Sequence, residues 1–308
     1  MSKVVVLLPC YNEAKTIAKV VNDFRRELPG ADILVYDNNS TDHGGEIAAQ
    51  AGADVRRCVQ QGKGHVIRRM FCEVDADIYV MADSDDTYPA NEVHKLIQPV
   101  ADGLADMVNG DRLSSTYSKE NKRPGHNFGN ALVCGLIQLI WRKRVNDVMT
   151  GYRTFSRRFV KTCPILSNGF EVETEMTLHA LDKRMSIVEI PIQYRDRPAG
   201  SVSKLRTIHD GFLVLRTIFN LFRFYRPLMF FGLLGFSLFI AAVCLAAPVF
   251  IEYFSTGKVP RYPSLIFACF MMTSAFLCAA VGLILDAVKK QSDREFELLK
   301  NFNATGVH

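Results

Sequence analysis

The sequence predicts an α/β domain with a mostly parallel sheet, followed by two membrane-spanning helices. Short apolar runs rich in β-branched residues alternate with amphipathic helical patterns in the first part of the chain, as they do in sheets covered by helices on both faces. Two later runs, 228–251 and 264–285, contain no charged residue. Each run is long enough to cross a hydrocarbon core of about 30 Å.

The strands and helices of the domain follow from the hydrophobic periodicity. After Lys3, the run to Pro9 is continuously apolar, which is typical of a buried parallel strand. Apolar residues at helical spacing then extend from Ile17 to Phe24 and end at the turn Pro29-Gly30. The later elements are predicted as a strand at 33–36, a helix at 45–51, a short strand near 55, a helix at 65–74 and a strand at 78–82.

Polar motifs follow three of the predicted strands. They are Pro9-Cys-Tyr-Asn-Glu13, Asp37-Asn-Asn-Ser-Thr-Asp42 and Asp83-Ser-Asp-Asp86. In open α/β sheets, ligands bind beyond the carboxyl ends of the strands, so we expect one cleft to hold all three motifs. An isolated Asp-x-Asp can equally cap the next helix, and for this motif alone that alternative stays open.

Asp83 and Asp85 are the candidate metal ligands. Carboxylates are among the hard oxygen ligands that Mg²⁺ and Mn²⁺ prefer, and such a cation is often shared with substrate phosphates. The first strand is not followed by a G-x-G-x-x-G motif, and the sequence has no Walker lysine motif. These features argue against a dinucleotide-binding domain and against a P-loop domain.

The charge and cysteine patterns narrow the class of protein further. The net charge of +5 is modest, and basic residues gather near the apolar runs, which indicates a membrane surface rather than nucleic acid as a partner. The eight cysteines show no C-x-x-C spacing, which indicates reduced, buried thiols rather than disulfides or a zinc site. No signal peptide is recognisable, so we expect the first domain to stay in the cytoplasm.

The order of these motifs resembles the inverting glycosyltransferases of family 2, which have the GT-A fold. The resemblance implies that Asp37 contacts the nucleobase, and that Asp83 and the catalytic residue Asp85 bind a divalent metal on the donor diphosphate. Lys63, in a Gly-Lys-Gly turn, is expected to add a cation, although a solvated loop lysine fits the pattern as well. Asn38-Asn39 stand where Asp-Gly is more common. The implied donor-binding residues are Pro9, Tyr11, Asn12, Glu13, Asp37, Lys63, Asp83, Ser84, Arg197 and Lys204.

The second half of the chain is similar to the polyprenyl-phosphate branch of this family, which includes dolichyl-phosphate mannose synthases and bacterial undecaprenyl-phosphate glucosyltransferases. The resemblance implies that Arg112, Arg123 and Asn127 bind the acceptor phosphate, since guanidinium groups can grip phosphate oxygens in a bidentate way. For any single arginine, a surface salt bridge is an equal alternative. The motifs that carry the resemblance include Gly110-Asp-Arg112, Arg123-Pro-Gly-His-Asn127, Thr150-Gly-Tyr-Arg153 and Tyr194 to Lys204.

Asp147 precedes the Thr-Gly-Tyr-Arg motif, where the family has an acid near the reacting centre, so it is a candidate catalytic residue. A polyprenyl phosphate is already ionised at neutral pH, and we therefore predict a positioning role rather than a general base. Support of Arg153 is the structural alternative. The sequence does not decide which of Glu171, Glu173 and Glu175 takes part in the site.

The predicted division of the chain is a catalytic domain at 1–206, an interfacial helix at 207–226, two spans within 227–286 and a tail at 287–308. Arg216, Asn220 and Arg223 fall on one helical stripe, which suits a helix lying among lipid headgroups; a buried helix is the alternative. Positive charges gather before the first span and after the second. The positive-inside rule therefore predicts an integral membrane protein with both termini cytoplasmic.

These features together predict inverting transfer of a hexose from a nucleoside diphosphate sugar to undecaprenyl phosphate or a similar lipid, with Mg²⁺ or Mn²⁺ as cofactor. UDP-glucose or UDP-N-acetylglucosamine is the favoured donor, and GDP-mannose is the alternative. A processive polysaccharide synthase is disfavoured because Trp141, the one tryptophan, is not part of a Gln-x-x-Arg-Trp motif. A membrane-anchored scaffold with a degenerate transferase domain is a further alternative. The resemblance also raises a homotetramer as the assembly.

Overall fold

The computed structural model describes residues 2–113, 124–169, 171–195, 219–220 and 222–304. The chain divides into two compact units, Met1–Val214 and Leu215–His308. The first unit contains an α/β sheet domain, and the second contains two long helices.

Within the described residues, the first unit is built on a seven-stranded mixed sheet. The order of strands across the sheet is β3-β2-β1-β4-β6-β5-β7, and β6 runs antiparallel to both of its neighbours while the other pairs are parallel. The mostly parallel sheet confirms the predicted fold class. The strands are β1 (Val4–Cys10), β2 (Asp32–Asp37), β3 (Asp54–Arg57), β4 (Ile78–Met81), β5 (Met107–Asp111), β6 (Arg153–Ser156) and β7 (Ile187–Pro191).

Helices cover both faces of this sheet. They are α1 (Ile17–Glu27), α2 (Gly44–Gln50), α3 (Lys63–Glu73), α4 (Val93–Ala101), α5 (Pro124–Trp141), α6 (Arg157–Thr162) and α7 (Val172–Asp182). On one face, Phe24 of α1 and Leu96 of α4 share a buried cluster with Val6 of β1. On the other face, the rings of Phe71 and Phe155 lie 5.6 Å apart. Full burial of each such side chain stabilises the fold by about 2 kcal/mol.

Parallel pairing brings the carboxyl ends of β1, β2 and β4 to one edge of the sheet. Cys10 pairs with Asp37 across β1 and β2, and Leu7 pairs with Met81 across β1 and β4. The segments that follow these three strands therefore leave the sheet at the same edge, where ligands of α/β sheets usually bind. This geometry agrees with the expectation that the three polar motifs meet.

The second unit contains the helices α8 (Pro227–Thr256) and α9 (Tyr262–Ala304). Both are long and apolar enough to cross a membrane by length and composition, as the sequence predicted. The two helices approach closely at small residues, because a Cβ added at Gly235 would lie 2.9 Å from the carbonyl oxygen of Ala275. Such close contact at glycine and alanine is common between helices in lipid. Helix α9 continues beyond the apolar run into the charged segment that was predicted as the tail.

The predicted interfacial helix falls largely outside the described residues. Residues 207–218, which include Arg216, and residue 221 are not among the described residues. Residues 219–220 and 222–225 are helical, so Asn220 and Arg223 lie on helix as expected. Its position at a membrane surface stays a prediction.

His179, in α7, is expected to make the stability of the domain depend on pH. The residue is 5% exposed, and burial, with a smaller contribution from Lys183, lowers its pKa to about 4. Because the unfolded chain takes up a proton near pH 6.5, the stability is fully present above that pH and falls as the pH drops towards 4. From pH 7 to pH 5, we expect the wild type to lose about 2 kcal/mol more unfolding free energy than a His179→Leu variant.

Denaturant unfolding of the detergent-solubilised protein at the two pH values measures this difference. Equal losses in the wild type and in the His179→Leu variant would contradict the assignment.

Candidate active site

The motifs that follow β1, β2 and β4 are joined by hydrogen bonds at the sheet edge. The backbone N–H of Asn12 donates to Ser40 Oγ (3.0 Å), and the N–H of Thr41 donates to the side-chain oxygen of Asn12 (2.8 Å). Asn12 has a positive φ of 54°, which asparagine adopts more readily than most residues. The hydroxyl of Ser84 donates to the carbonyl oxygen of Pro9 (2.8 Å). The structure therefore brings the three sequence motifs together.

Tyr11 and Glu13, two more predicted donor-binding residues, flank Asn12. The side chain of Tyr11 is exposed at the sheet edge. The carbonyl oxygen of Glu13 accepts hydrogen bonds from the N–H groups of Thr16 and Ile17, which starts α1. Thr16, which the sequence did not single out, also donates its hydroxyl proton to the carbonyl oxygen of the third motif's serine (2.7 Å).

Two side chains at the end of β2, those of Asp37 and Asn38, hold the neighbouring loops in place, including the segment that leads into α3. The carboxylate of Asp37 accepts a hydrogen bond from the N–H of Ser40 (3.1 Å). The side-chain NH₂ of Asn38 donates to the carbonyl oxygens of Cys58 (3.1 Å) and Gln60 (2.7 Å), and its oxygen accepts from the N–H of Gly62 (2.8 Å). A carboxylate cannot donate these bonds, so asparagine rather than aspartate fits this position.

Lys63, Asp83 and Glu173 form a buried ion cluster at the same edge. The ammonium nitrogen of Lys63 lies 2.6 Å from Oδ1 of Asp83 and 2.6 Å from Oε1 of Glu173. The lysine side chain is 11% exposed and the glutamate side chain 6%. Burial acts to lower the pKa of Lys63, but the two carboxylates outweigh it and raise that pKa above its ordinary value. The alternative of a solvated loop lysine is therefore wrong.

Two glycines allow the backbone to place Lys63 there. A Cβ at Gly62 would lie 2.2 Å from the carbonyl oxygen of Asn168, and a Cβ at Gly64 would lie 2.1 Å from that of Ser167. Gly62 also has a φ of 132°, which residues with a side chain rarely adopt. The Gly-Lys-Gly segment was expected to be a turn before the helix, but Lys63 is the first residue of α3 and the two glycines pack tightly.

The structure distinguishes the three candidate glutamates. Glu173 belongs to the ion cluster through its contact with Lys63, and its Oε2 atom is buried with no hydrogen-bond partner among the described residues. Glu175 instead accepts hydrogen bonds from the N–H groups of Leu166 (2.9 Å) and Ser167 (3.0 Å), and so holds the loop that Gly62 and Gly64 contact. Glu171 is exposed. Glu173 is therefore the glutamate that belongs to the candidate site.

The acids of the third motif point in different directions. Asp85 is 3% exposed, and its Oδ1 accepts the N–H (3.2 Å) and the hydroxyl (2.6 Å) of Thr87. Asp86 has a positive φ of 58° and pairs with Lys19 (2.6 Å). Asp83 lies against the backbone of Gly151, where an added Cβ would be 2.3 Å from Oδ2 of the aspartate.

Gly151 and Tyr88 complete the wall beside Asp83. The N–H of Gly151 donates to the hydroxyl oxygen of Tyr88 (2.9 Å), and burial raises the pKa of this tyrosine above its ordinary value. The glycine stands in the Thr-Gly-Tyr-Arg motif that the sequence singled out. Tyr88 carried no signal apart from its place shortly after the third motif.

Asp83 and Asp85 stay the predicted ligands of a divalent cation that would be shared with a substrate. Among the described residues, no group of three or more His, Cys, Asp or Glu side chains could hold a metal ion by itself. Mg²⁺ is commonly held by one or two carboxylates together with substrate phosphates. The buried, unpartnered oxygen of Glu173 adds another atom of the type that such cations bind.

Asp147 and Arg112 form a buried bidentate ion pair. Asp147 is fully buried, and its two carboxylate oxygens accept from Nε (2.7 Å) and an Nη (2.9 Å) of Arg112. Burial acts to lower the pKa of this arginine, but Tyr88 and Asp147 raise it well above its ordinary value. The guanidinium also lies 5.5 Å from the ring centroid of Tyr194. Binding of an acceptor phosphate by Arg112 stays a prediction. The phosphate would meet a guanidinium group that is already paired with Asp147.

Arg153 makes its hydrogen bonds to other groups, and Asp147, the support that the sequence offered as an alternative, acts on it through charge alone. The arginine is fully buried and donates to the carbonyl oxygens of Thr150 (2.9 Å) and Val148 (2.5 Å) and to the hydroxyl of Thr177 (2.9 Å). Burial lowers its pKa to about 10, which still leaves it charged at neutral pH. Its role is to fix the loop that carries Asp147.

Four predicted site residues cannot be placed in this way. Arg123, Arg197 and Lys204 lie outside the described residues. Asn127 belongs to α5, and its side chain lies outside the described part of the chain. Their roles stay predictions.

The sequence of the domain decides the family. Residues 5–163 match the profile described as "Glycosyl transferase family 2". The chain belongs to this family. It is a glycosyltransferase with a GT-A-like fold, as the order of motifs predicted, and related hexosyltransferases place it among enzymes rather than scaffolds.

Relatives of named function match over most of the transferase. It is 33% identical to glycosyltransferase AglJ of Haloferax volcanii, over 81% of this chain and 82% of the relative. It is 30% identical to a dolichyl-phosphate hexose transferase of the same organism, over 69% of this chain and 91% of the relative. The dolichol-phosphate mannosyltransferase of Pyrococcus furiosus is 27% identical, over 72% of this chain and 64% of the relative.

Solved structures agree on the fold of the transferase. Glucosyl-3-phosphoglycerate synthase of Mycobacterium tuberculosis superposes with a TM-score of 0.57 at 22% identity, covering 72% of this chain and 80% of that one. The same synthase has also been solved with Mn²⁺, UDP and glucosyl-3-phosphoglycerate, and that structure superposes with a TM-score of 0.55 at 21% identity, covering 72% and 79%. At this identity the likeness establishes the fold.

Proposed function

We propose that the transferase moves a hexose from a nucleoside diphosphate sugar to a polyprenyl phosphate at a membrane surface, with inversion at the anomeric carbon. The observation that carries this proposal is the occurrence, in one chain, of a carboxylate-rich strand edge suited to a metal diphosphate and two helices long enough to cross a membrane. The dolichyl-phosphate hexose transferase that matches 69% of the chain supports the same acceptor class.

The donor half of the site is proposed to lie along the strand edge. Asp37 contacts the nucleobase, and Pro9, Tyr11, Asn12, Glu13 and Ser84 line the nucleotide. Asp83 and Asp85 hold Mg²⁺ or Mn²⁺, which neutralises the charge that develops on the leaving nucleoside diphosphate. Arg197 and Lys204 are assigned to the diphosphate as well.

The acceptor half is proposed to use Arg112, Arg123 and Asn127 for the lipid phosphate. The phosphate oxygen is ionised at neutral pH and attacks without loss of a proton, so positioning is the main requirement. Asp147 supplies it by fixing two donor groups of Arg112 (2.7 and 2.9 Å). We therefore assign Asp147 a positioning role rather than that of a general base.

The catalytic domain carries a surface that suits this acceptor. On α5, the partly or fully exposed side chains Leu132, Leu136, Leu139 and Ile140 recur at helical spacing. The exposed basic residues Arg142, Lys143 and Arg144 follow directly, and cations of this kind are attracted to anionic lipid headgroups. With both termini cytoplasmic, as the positive charges around the apolar runs favour, the site would face the compartment that contains nucleotide sugars. We propose a homotetramer as the assembly.

A donor panel tests the proposal and identifies the sugar. Purified protein in detergent is incubated with undecaprenyl phosphate, Mn²⁺ or Mg²⁺, and radiolabelled UDP-glucose, UDP-N-acetylglucosamine, UDP-galactose or GDP-mannose. We expect metal-dependent label in the organic phase from one UDP-sugar. Label from GDP-mannose instead would favour the mannosyltransferase alternative, which the Pyrococcus relative supports. Absence of lipid label with every donor, in the presence of an active control enzyme, would contradict the proposed acceptor.

A further inference from the structure

Lys63 contacts Asp83, the aspartate that is proposed to bind the metal of the donor complex. Its ammonium nitrogen is 2.6 Å from an oxygen of Asp83 and 2.6 Å from an oxygen of Glu173. Both carboxylates thus share one internal cation, which neutralises part of their charge in a site that is largely shielded from water.

We propose that Lys63 keeps Asp83 paired until the donor complex binds. Its ammonium group neutralises this aspartate in the empty enzyme and moves to the diphosphate when donor and metal bind together. The inference rests on the proposed function, because it assumes a nucleoside diphosphate donor. Its consequence is that the protein binds a divalent cation weakly without nucleotide and tightly with it.

Electrostatics supplies the reason for this coupling. A divalent cation placed on Asp83 while Lys63 stays there would bring three positive charges within a few ångströms, and in a partly buried site their repulsion is only weakly screened. A diphosphate adds negative charge and gives the ammonium a new partner. Lys63 can then leave Asp83 without becoming an unpaired buried charge.

The local structure allows the side chain to move while the backbone stays in place. The glycines on either side of Lys63 pack against the carbonyl oxygens of Ser167 and Asn168, and the side chain of Asn38 accepts the N–H of Gly62 (2.8 Å). Beyond this anchored backbone, lysine has a flexible four-carbon stem with several rotatable bonds. Glu173 gives the ammonium a second contact, which can be kept when Asp83 is released.

Nucleotide-free metal binding tests the proposal. Mn²⁺ is titrated into the full-length protein in detergent and the free ion is measured by electron paramagnetic resonance, with and without UDP or GDP. We expect Lys63→Met to bind Mn²⁺ alone about tenfold more tightly than the wild type, since a repelling charge is removed. The enhancement of Mn²⁺ binding by nucleotide should shrink in the same variant. Lys63→Arg, which keeps the charge, should resemble the wild type.

Two further variants complete the design. Lys19→Met is the matched control, because Lys19 makes an equally short ion pair (2.6 Å) with Asp86 in the same acidic motif, and its Mn²⁺ affinity should not change. Lys63→Gln keeps a hydrogen-bond donor between the carboxylates and replaces Lys63→Met if thermal melting shows that the methionine variant does not fold. It should also bind Mn²⁺ more tightly than the wild type.

Wild-type Mn²⁺ affinity in the folded neutral variants without nucleotide would overturn the proposal. A reduced nucleotide affinity with unchanged Mn²⁺ affinity would make Lys63 a phosphate ligand only, and this also overturns it. Failure of the proposed function is recognised separately. If neither UDP nor GDP binds the wild type, the donor class is wrong, and if nucleotide binds but no lipid is labelled, the acceptor is wrong.

Discussion

Replacing Asp85 by asparagine is expected to lower sugar transfer about a thousandfold while the domain stays folded. The asparagine oxygen can still accept the hydrogen bonds from the N–H and the hydroxyl of Thr87, so the turn after β4 is retained. The change removes the negative charge that the proposed metal requires, and loss of one preorganised electrostatic contact typically costs about 10²- to 10³-fold in turnover.

Steady-state transfer of labelled sugar to polyprenyl phosphate measures this effect, and thermal melting checks the fold. Asp86→Asn is the matched control within the same motif. Asp86 adopts a positive φ of 58° that asparagine tolerates, and it pairs with Lys19 and Arg195 rather than with the cluster. Turnover of the control should stay within about twofold of the wild type. Comparable turnover in both variants would remove Asp85 from the catalytic site.

Replacing Arg112 by methionine is expected to cost about 3–5 kcal/mol of unfolding free energy, because it leaves the carboxylate of Asp147 buried without its cation. The double variant Arg112→Met/Asp147→Leu removes both charges and should recover most of that stability. Denaturant unfolding in detergent measures both values. The surface pair formed by Arg157 and Asp75 (3.0 Å, more than half exposed) provides the control, and Arg157→Met should cost less than about 1 kcal/mol.

The same double variant separates packing from function. If Arg112 contacts the acceptor phosphate, the stabilised double variant should still fail to label lipid, although nucleotide binding is retained. Wild-type transfer by the double variant would show that the pair serves the fold alone.

The first four strands of the sheet could be predicted from sequence because their determinants are local. Continuous apolar runs such as the one that ends at Pro9 identify buried parallel strands, and in parallel sheets the polar residues that follow them gather at one edge. The two apolar helices were equally predictable, since charge-free length is sufficient to recognise them. The order of the motifs likewise predicted the contacts of Asn12 with Ser40 and of Pro9 with Ser84.

The environments of the charged side chains could not be predicted in the same way. Lys63 is buried because Gly62 and Gly64 pack against carbonyl oxygens about 100 residues further along the chain, and such a contact leaves no local pattern. Which glutamate reaches the cluster depends on how α7 is rotated against the sheet. The partners of Arg153 depend on β6, the antiparallel strand that begins at this residue, and on Thr177 of α7, to which the arginine donates.

The chemical structure of the lipid product distinguishes inverting transfer to a polyprenyl phosphate from the other reactions. The organic phase from the donor panel is analysed by mass spectrometry and by NMR of the anomeric proton. We expect one hexose joined through its anomeric carbon to the polyprenyl phosphate, with a configuration opposite to that of the donor. A product with the donor's configuration, or release of free sugar with no lipid-linked product, would contradict it.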